Sequence, residues 1–138
     1  MTNSIKTIFL AHDNQESPEA RRNYLEHAGY NVRLFSSAQQ LIAAFRAETP
    51  ACVVMDILLE GRNGFAIAED ISRAYPRRPF PLILSSRLYR SRSFREEAKR
   101  CGASAYLQVP MSLEDFLKQI NHTIQTYQPP SGDLDLAA

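Results

Sequence analysis

Residues 51–64, ACVVMDILLEGRNG, constrain the fold more than any other stretch of the chain. Ala51 to Met55 is a short run of apolar residues, and it ends on a single carboxylate, Asp56. A short run without polar alternation reads as a strand buried on both faces, as in parallel sheets. The loop that follows reaches Gly64, where an apolar helical pattern begins. An acid at the carboxyl end of a central parallel strand stands where open α/β sheets place their sites. The other strands can then be asked what stands at their own carboxyl ends.

Ile5 to Ala11 predicts the first strand, with His12, Asp13 and Asn14 at its end. Ser17-Pro18-Glu19 predicts a helix start, with serine as N-cap and proline at the first helical position. Tyr24, Leu25 and Ala28 share a face of that helix, and Gly29 stops it. Asn31 to Phe35 is the second strand. Ser36-Ser37 ahead of Gln39 and Gln40 caps a helix with Leu41, Ile42, Ala44 and Phe45 inward, closed by Thr49-Pro50. The third strand is the one ending at Asp56. Gly64 to Tyr75 is a helix with Phe65, Ile67, Ala68 and Ile71 inward. Arg77-Arg78-Pro79 reads as a loop, and Phe80 to Leu84 as the fourth strand, with Ser85-Ser86 at its end. Arg87 to Arg100 predicts an arginine-rich helix with sparse apolar positions Leu88, Phe94 and Ala98, stopped by Gly102. Ser104 to Val109 is the fifth strand, followed by Pro110. Ser112 and Asp115 form a capping box for a last helix, with Leu113, Phe116, Leu117, Ile120 and Ile124 inward.

Strands that alternate with helices predict a three-layer α/β fold, a doubly wound five-stranded parallel sheet with right-handed crossovers. The pattern alone leaves the strand order open; the flavodoxin-like order 2-1-3-4-5 is the common solution at this size. In that order the ends of strands one, three, four and five bring His12, Asp13, Asp56, Ser85, Ser86 and Val109-Pro110 into one neighbourhood. A chain of 138 residues is expected to be one domain, over 1–126, with 127–138 a short flexible tail whose Pro129-Pro130-Ser131-Gly132 would suit a linker. Its 44% hydrophobic and 22% charged residues are those of a soluble globular protein, and a net charge of +1 carries no partner signal. Cys52 and Cys101 lack metal spacing, and Cys52 in its apolar run reads as a buried thiol of a reducing compartment. The opening MTNSIKTIFL is too short an apolar run for a signal peptide or a membrane span, so a cytoplasmic protein is the expectation.

This set of strand ends resembles the response-regulator receiver domain of two-component signalling, over roughly residues 5 to 126. Asp13 matches the family acid after strand one, Asp56 the phosphoacceptor, and Gly64 the glycine that closes the following loop. Ser85-Ser86 matches the hydroxyl-plus-small pair after strand four. Gly102-Ala103-Ser104 and Tyr106 match the segment through strand five, and Pro110 the proline of a usually cis Lys-Pro pair. Three positions depart from the pattern. His12 stands where the family usually has a first acid, Val109 where it has lysine, and Glu60 where it has proline.

The resemblance implies an acceptor carboxylate on Asp56 that attacks the phosphorus of a phosphohistidine on a sensor histidine kinase or phosphotransfer protein. Such a transfer needs positioning and charge neutralisation more than acid–base chemistry. It implies Mg²⁺ held by Asp13, Asp56 and the Leu58 carbonyl; His12 is a poor ligand for so hard a cation. It implies Ser85 as switch hydroxyl, Tyr106 as switch aromatic, and a cis bond before Pro110. Val109 offers no charge to a phosphoryl group, so slow transfer and weak coupling of phosphorylation to conformation are expected. Glu60, if turned inward, would mimic a phosphoryl charge or add a ligand, which Glu60→Pro would test. The basic set Arg87, Arg90, Arg92, Arg95, Lys99 and Arg100 is either a solvated helix face or a contact surface. In the family, helix four, strand five and helix five form the usual face for a partner protein or a second copy.

Three functions follow. The first is a signalling module that works by protein–protein contact, with Asp56 as candidate phosphoacceptor in a pocket that need not switch on phosphorylation. The second is a conventional Mg²⁺-dependent phosphoacceptor that hydrolyses its own aspartyl phosphate, the most enzyme-like activity expected here. The third, weakest for want of a recognition helix, is a nucleic-acid-binding domain built on the arginine-rich segment.

Overall fold

A computed structural model describes residues 5–12, 18–60, 62–87 and 92–130, with only the backbone at Arg92. A parallel sheet forms from β1 (Thr7–Ala11), β2 (Asn31–Phe35), β3 (Cys52–Asp56), β6 (Leu82–Ser86) and β7 (Ala105–Gln108). Its spatial order is β2-β1-β3-β6-β7, which is 2-1-3-4-5 counted over the strands of that sheet. The helices are α1 (Glu19–His27), α2 (Ala38–Ala44), α3 (Gly64–Ala74), α4 (Arg92–Arg100) and α5 (Leu113–Thr126). The fold is the expected flavodoxin-like one.

Alternation along each strand divides the core in two. Phe9, Val53, Met55, Leu82 and Leu84 join Leu41 of α2, Phe65, Ile67 and Ile71 of α3, and Ala98 of α4 on one face. Ile8, Leu10, Cys52, Val54 and Ile83 join Leu25 of α1 and Phe116 and Ile120 of α5 on the other. Both cysteines are buried free thiols, and burial raises the pKa of each. Caps read from sequence recur: Ser37 Oγ accepts from Gln40 N at 3.1 Å and Ser112 Oγ from Asp115 N at 3.0 Å. The predicted cap residue Ser17 lies outside the described residues. Pro18 occupies the cap position of α1, and its carbonyl accepts from Arg22 N at 2.9 Å. On α1 only Leu25 is buried, while Ala28, expected inward, is exposed.

The fourth sheet strand runs Leu82–Ser86, two residues later than expected. Pro81 has no N–H, so the ladder can use only its carbonyl, which accepts from Val53 N at 3.0 Å. Ser85 and Ser86 therefore lie inside the strand, both buried. Between β3 and α3 stands an unexpected antiparallel hairpin, β4 (Leu58–Leu59) with β5 (Arg62–Asn63).

Arg78, expected in a loop, is buried at the amino-terminal edge of the sheet. Its Nε donates to the Phe80 carbonyl at 3.1 Å, Nη1 to Ser72 Oγ at 3.2 Å, and Nη2 to the Gly102 carbonyl. The Tyr127 hydroxyl donates to the Arg78 carbonyl at 2.9 Å. The position expected to open a flexible tail thus contributes its ring to this edge. Burial lowers the Arg78 pKa, opposed by Tyr127 and Cys101. The same burial raises Tyr127, with Arg78 pulling the other way.

Candidate functional site

Asp56 is the last residue of β3, half-buried where the sheet meets solvent. Its register partner on β6 is Ser85, and Ser85 Oγ donates to Asp56 Oδ1 at 2.7 Å. Ile57 N then donates to the Ser85 carbonyl at 2.9 Å, and Val109 N to the Ser86 carbonyl at 3.0 Å. These bonds hold the carboxyl ends of three adjacent segments at one level. Val109 is buried, and its bond to Pro110 is cis, as the resemblance implied. His12 closes β1, with its N–H on the Phe35 carbonyl at 3.0 Å. Asp13 lies outside the described residues.

The loop after Asp56 is shaped by the hairpin. Gly64 N donates to the Ile57 carbonyl, so Leu58 and Asn63 form a non-hydrogen-bonded pair and the Leu58 carbonyl is not spent on that ladder. Leu58 carries its side chain outward, 44% exposed beside the site. Asn63 Oδ1 caps α3 by accepting from Phe65 N at 2.8 Å. Sequence reasoning passed over Asn63, although asparagine just ahead of an apolar helical pattern is a cap signal. Gly64 packs so closely that a Cβ there would lie 2.5 Å from Ile57 Cα and 2.8 Å from the Asp56 carbonyl oxygen.

Glu60 is exposed and has φ +52°, the only non-glycine residue with positive φ among the described residues. A two-residue hairpin turn calls for that sign at its first position. Proline, fixed near φ −65°, cannot take it. Glu60→Pro is therefore expected to break the hairpin and lower stability by more than about 1 kcal/mol, whereas Glu60→Asn, which tolerates the left-handed region, stays within about 0.5 kcal/mol of the parent. Urea melts of both variants check this, and equal midpoints would refute it. The test of an inward-facing Glu60 by proline is thus unsuitable, because it would change the turn as well as the charge.

Tyr106 is on β7 and is half-buried, on the face opposite Ser85. Its ring lies 6.5 Å from Phe65, which stacks in turn on Phe94 of α4 at 6.0 Å. The structure thus joins Asp56 to Ser85 directly and sets Tyr106 into a ring stack across α3 and α4. The arginine-rich segment also divides. Arg87 follows β6 outside any helix, residues 88–91 lie outside the described residues, and α4 begins at Arg92. On α4, Arg95, Lys99 and Arg100 are exposed among Glu96 and Glu97, and Arg100 pairs with Glu97 at 3.0 Å. That mixture carries both signs of charge and is not a continuous basic stripe.

The family model of the response regulator receiver domain matches residues 8–121. The chain belongs to the response regulator receiver family. The protein PilH of Pseudomonas aeruginosa is 31% identical over 97 residues, covering 70% of this chain and 79% of that protein. The response regulator MprA of Mycolicibacterium vanbaalenii is 25% identical over 131 residues, 95% of this chain and 55% of that one. The transcriptional regulatory protein GltR of Pseudomonas aeruginosa is 27% identical, over 89% of this chain and 50% of its own. This receiver spans about half the length of MprA and GltR. Among solved structures, a CheY-like receiver domain protein from Methanospirillum hungatei JF-1 superposes with a TM-score of 0.78 at 24% identity, covering 88% of this chain and 95% of that one. The beryllofluoride-activated NtrC4 receiver domain dimer superposes with a TM-score of 0.80 at 20% identity, covering 90% and 100%. Both share the fold. Among the described residues no helix is long and apolar enough to cross a membrane.

Proposed function

We propose that this receiver passes a signal by protein–protein contact, with Asp56 as its phosphoacceptor and an output only weakly tied to phosphorylation. The observation that carries this is the 2.7 Å bond from Ser85 to Asp56. A switch hydroxyl normally gains its acid-side partner when a phosphoryl group arrives; here it already has one. Tyr106 is likewise already packed against Phe65. Val109, buried and uncharged, gives a phosphoryl group nothing to pull on from its own strand. The partner is a sensor histidine kinase or phosphotransfer protein on the Asp56 side. The output is a protein, or a second copy of this chain, on the α4–β7–α5 face, where Arg95, Glu96, Lys99 and Tyr106 border a cleft.

The donor set suits Mg²⁺. Asp56 and the Leu58 carbonyl would be hard oxygen ligands, and Asp13 would complete the set. When bound, the ion would supply positive charge to the phosphoryl oxygens. The cytoplasm is the compartment that suits such partners.

The test is intact mass after incubation with Mg²⁺ and phosphoramidate, with amide NMR spectra of the same samples. One phosphoryl mass is expected on the parent and none on Asp56→Ala, with α4, β7 and α5 resonances scarcely moved. No added mass would remove the acceptor role. Large shifts across α4–β7–α5 would remove the weak coupling and favour a conventional switch.

A further inference from the structure

The Asp56 side of the sheet can be read residue by residue. Asp56, Ser85 and Val109 have the parity of Val54, Ile83 and Leu107, which pack on the face shared with α1 and α5. Arg87 directly follows β6, two residues beyond Ser85, and an arginine side chain is long enough to reach back over that distance to the end of the strand. The backbone just before it is tied to the site: Ile57 N is bonded to the Ser85 carbonyl and Val109 N to the Ser86 carbonyl. Arg87 is exposed and precedes α4, so it is not part of that helix. A guanidinium on a long side chain presents a planar fork of donors matched to phosphoryl oxygens.

We propose that Arg87 is the phosphoryl-binding cation of this receiver, supplying from the end of β6 the charge that Val109 cannot supply from the end of β7. This rests on the reading of Asp56 as phosphoacceptor. In the transfer a carboxylate oxygen of Asp56 bonds to phosphorus while the phosphorus–nitrogen bond of the donor breaks. The leaving nitrogen keeps the bonding pair and takes a proton from solvent. The negative charge left on the transferred phosphoryl oxygens is what Arg87 binds.

The full chain with Mg²⁺ is melted with and without beryllofluoride, a stable mimic of the acyl phosphate, and its labelling rate by phosphoramidate is followed by intact mass. Arg87→Gln is expected to melt like the parent without the mimic, to lose most of the mimic's stabilisation, and to label about tenfold more slowly. Arg87→Lys should recover part of both losses. Val109→Lys placed in the Arg87→Gln background should also recover labelling, by restoring a cation from the neighbouring strand. If the parent neither labels nor responds to the mimic, the acceptor reading falls and this proposal with it. If the parent responds and Arg87→Gln responds equally, Asp56 remains the acceptor and Arg87 is excluded.

Discussion

Arg78→Ala is expected to destabilise the fold by about 3–4 kcal/mol, seen as a shift of the urea midpoint at unchanged slope. The side chain is 5% exposed, and three of its nitrogens donate to Phe80, Ser72 and Gly102. Truncation leaves the buried Phe80 carbonyl and the part-buried Gly102 carbonyl without these donors, and each such loss costs on the order of 1–3 kcal/mol. Ser72 keeps one bond, to the Cys101 carbonyl at 3.0 Å, so it adds little. Arg78→Lys retains the charge but cannot serve three acceptors in different directions, and should recover less than half of the loss. A loss under about 1 kcal/mol for the alanine variant would show that water replaces the guanidinium at this edge. The edge is opposite Asp56, so the folded fraction should keep its response to the phosphoryl mimic.

The second large effect is at Gly64. Its missing side chain lets the start of α3 lie against the backbone of Ile57 and Asp56. A methyl group there meets main-chain atoms on both residues, and a main chain held by its neighbours cannot swing aside as a side-chain tip can. Gly64→Ala should cost about 2–3 kcal/mol. It should also slow Asp56 labelling by tenfold or more, since a displacement near 1 Å at a reacting group can cost about a hundredfold. Gly29→Ala is the comparison. Gly29 has a left-handed φ, +103°, which Gly64 has not, and its Cβ would meet nothing within 4 Å. It should lose only the backbone term, about 1–2 kcal/mol, and label at the parent rate. Equal labelling by both variants would show that Gly64 does not position the acceptor.

What could be read from the sequence was what repeats. Cys52–Asp56 and the inner face of α3 follow patterns several residues long, and each interior position adds to the same inference. The shared neighbourhood of Asp56 and Ser85 followed once the strand order common at this size was adopted. The hairpin at Leu58–Asn63 is two residues per strand, too short for any period to show. Phe80 misled for a different reason. It is buried like a strand residue, but its neighbour Pro81 cannot donate, and burial alone does not make a ladder. Arg78 was unreadable because the acceptors that justify its burial come from Phe80, Ser72 and Gly102, which only the folded chain assembles. Arg87 was first grouped with the helix by composition; its place beside the end of β6 became visible only when that strand was found to reach Ser86.

The bond between Ser85 and Asp56 has a consequence for how this receiver sits in a pathway. Coupling free energy between two sites is the same in both directions. On the proposed reading, occupancy at Asp56 scarcely alters what docks on the α4–β7–α5 face. A docked partner must then alter the pocket's affinity for its ligands by the same small factor. The two ends of the domain become independent terminals: a scaffold on one side cannot quietly load the pocket, and a loaded pocket cannot dismiss the scaffold. Such a protein would join two streams of traffic by being present in both, its abundance setting the output where a switch would use its state.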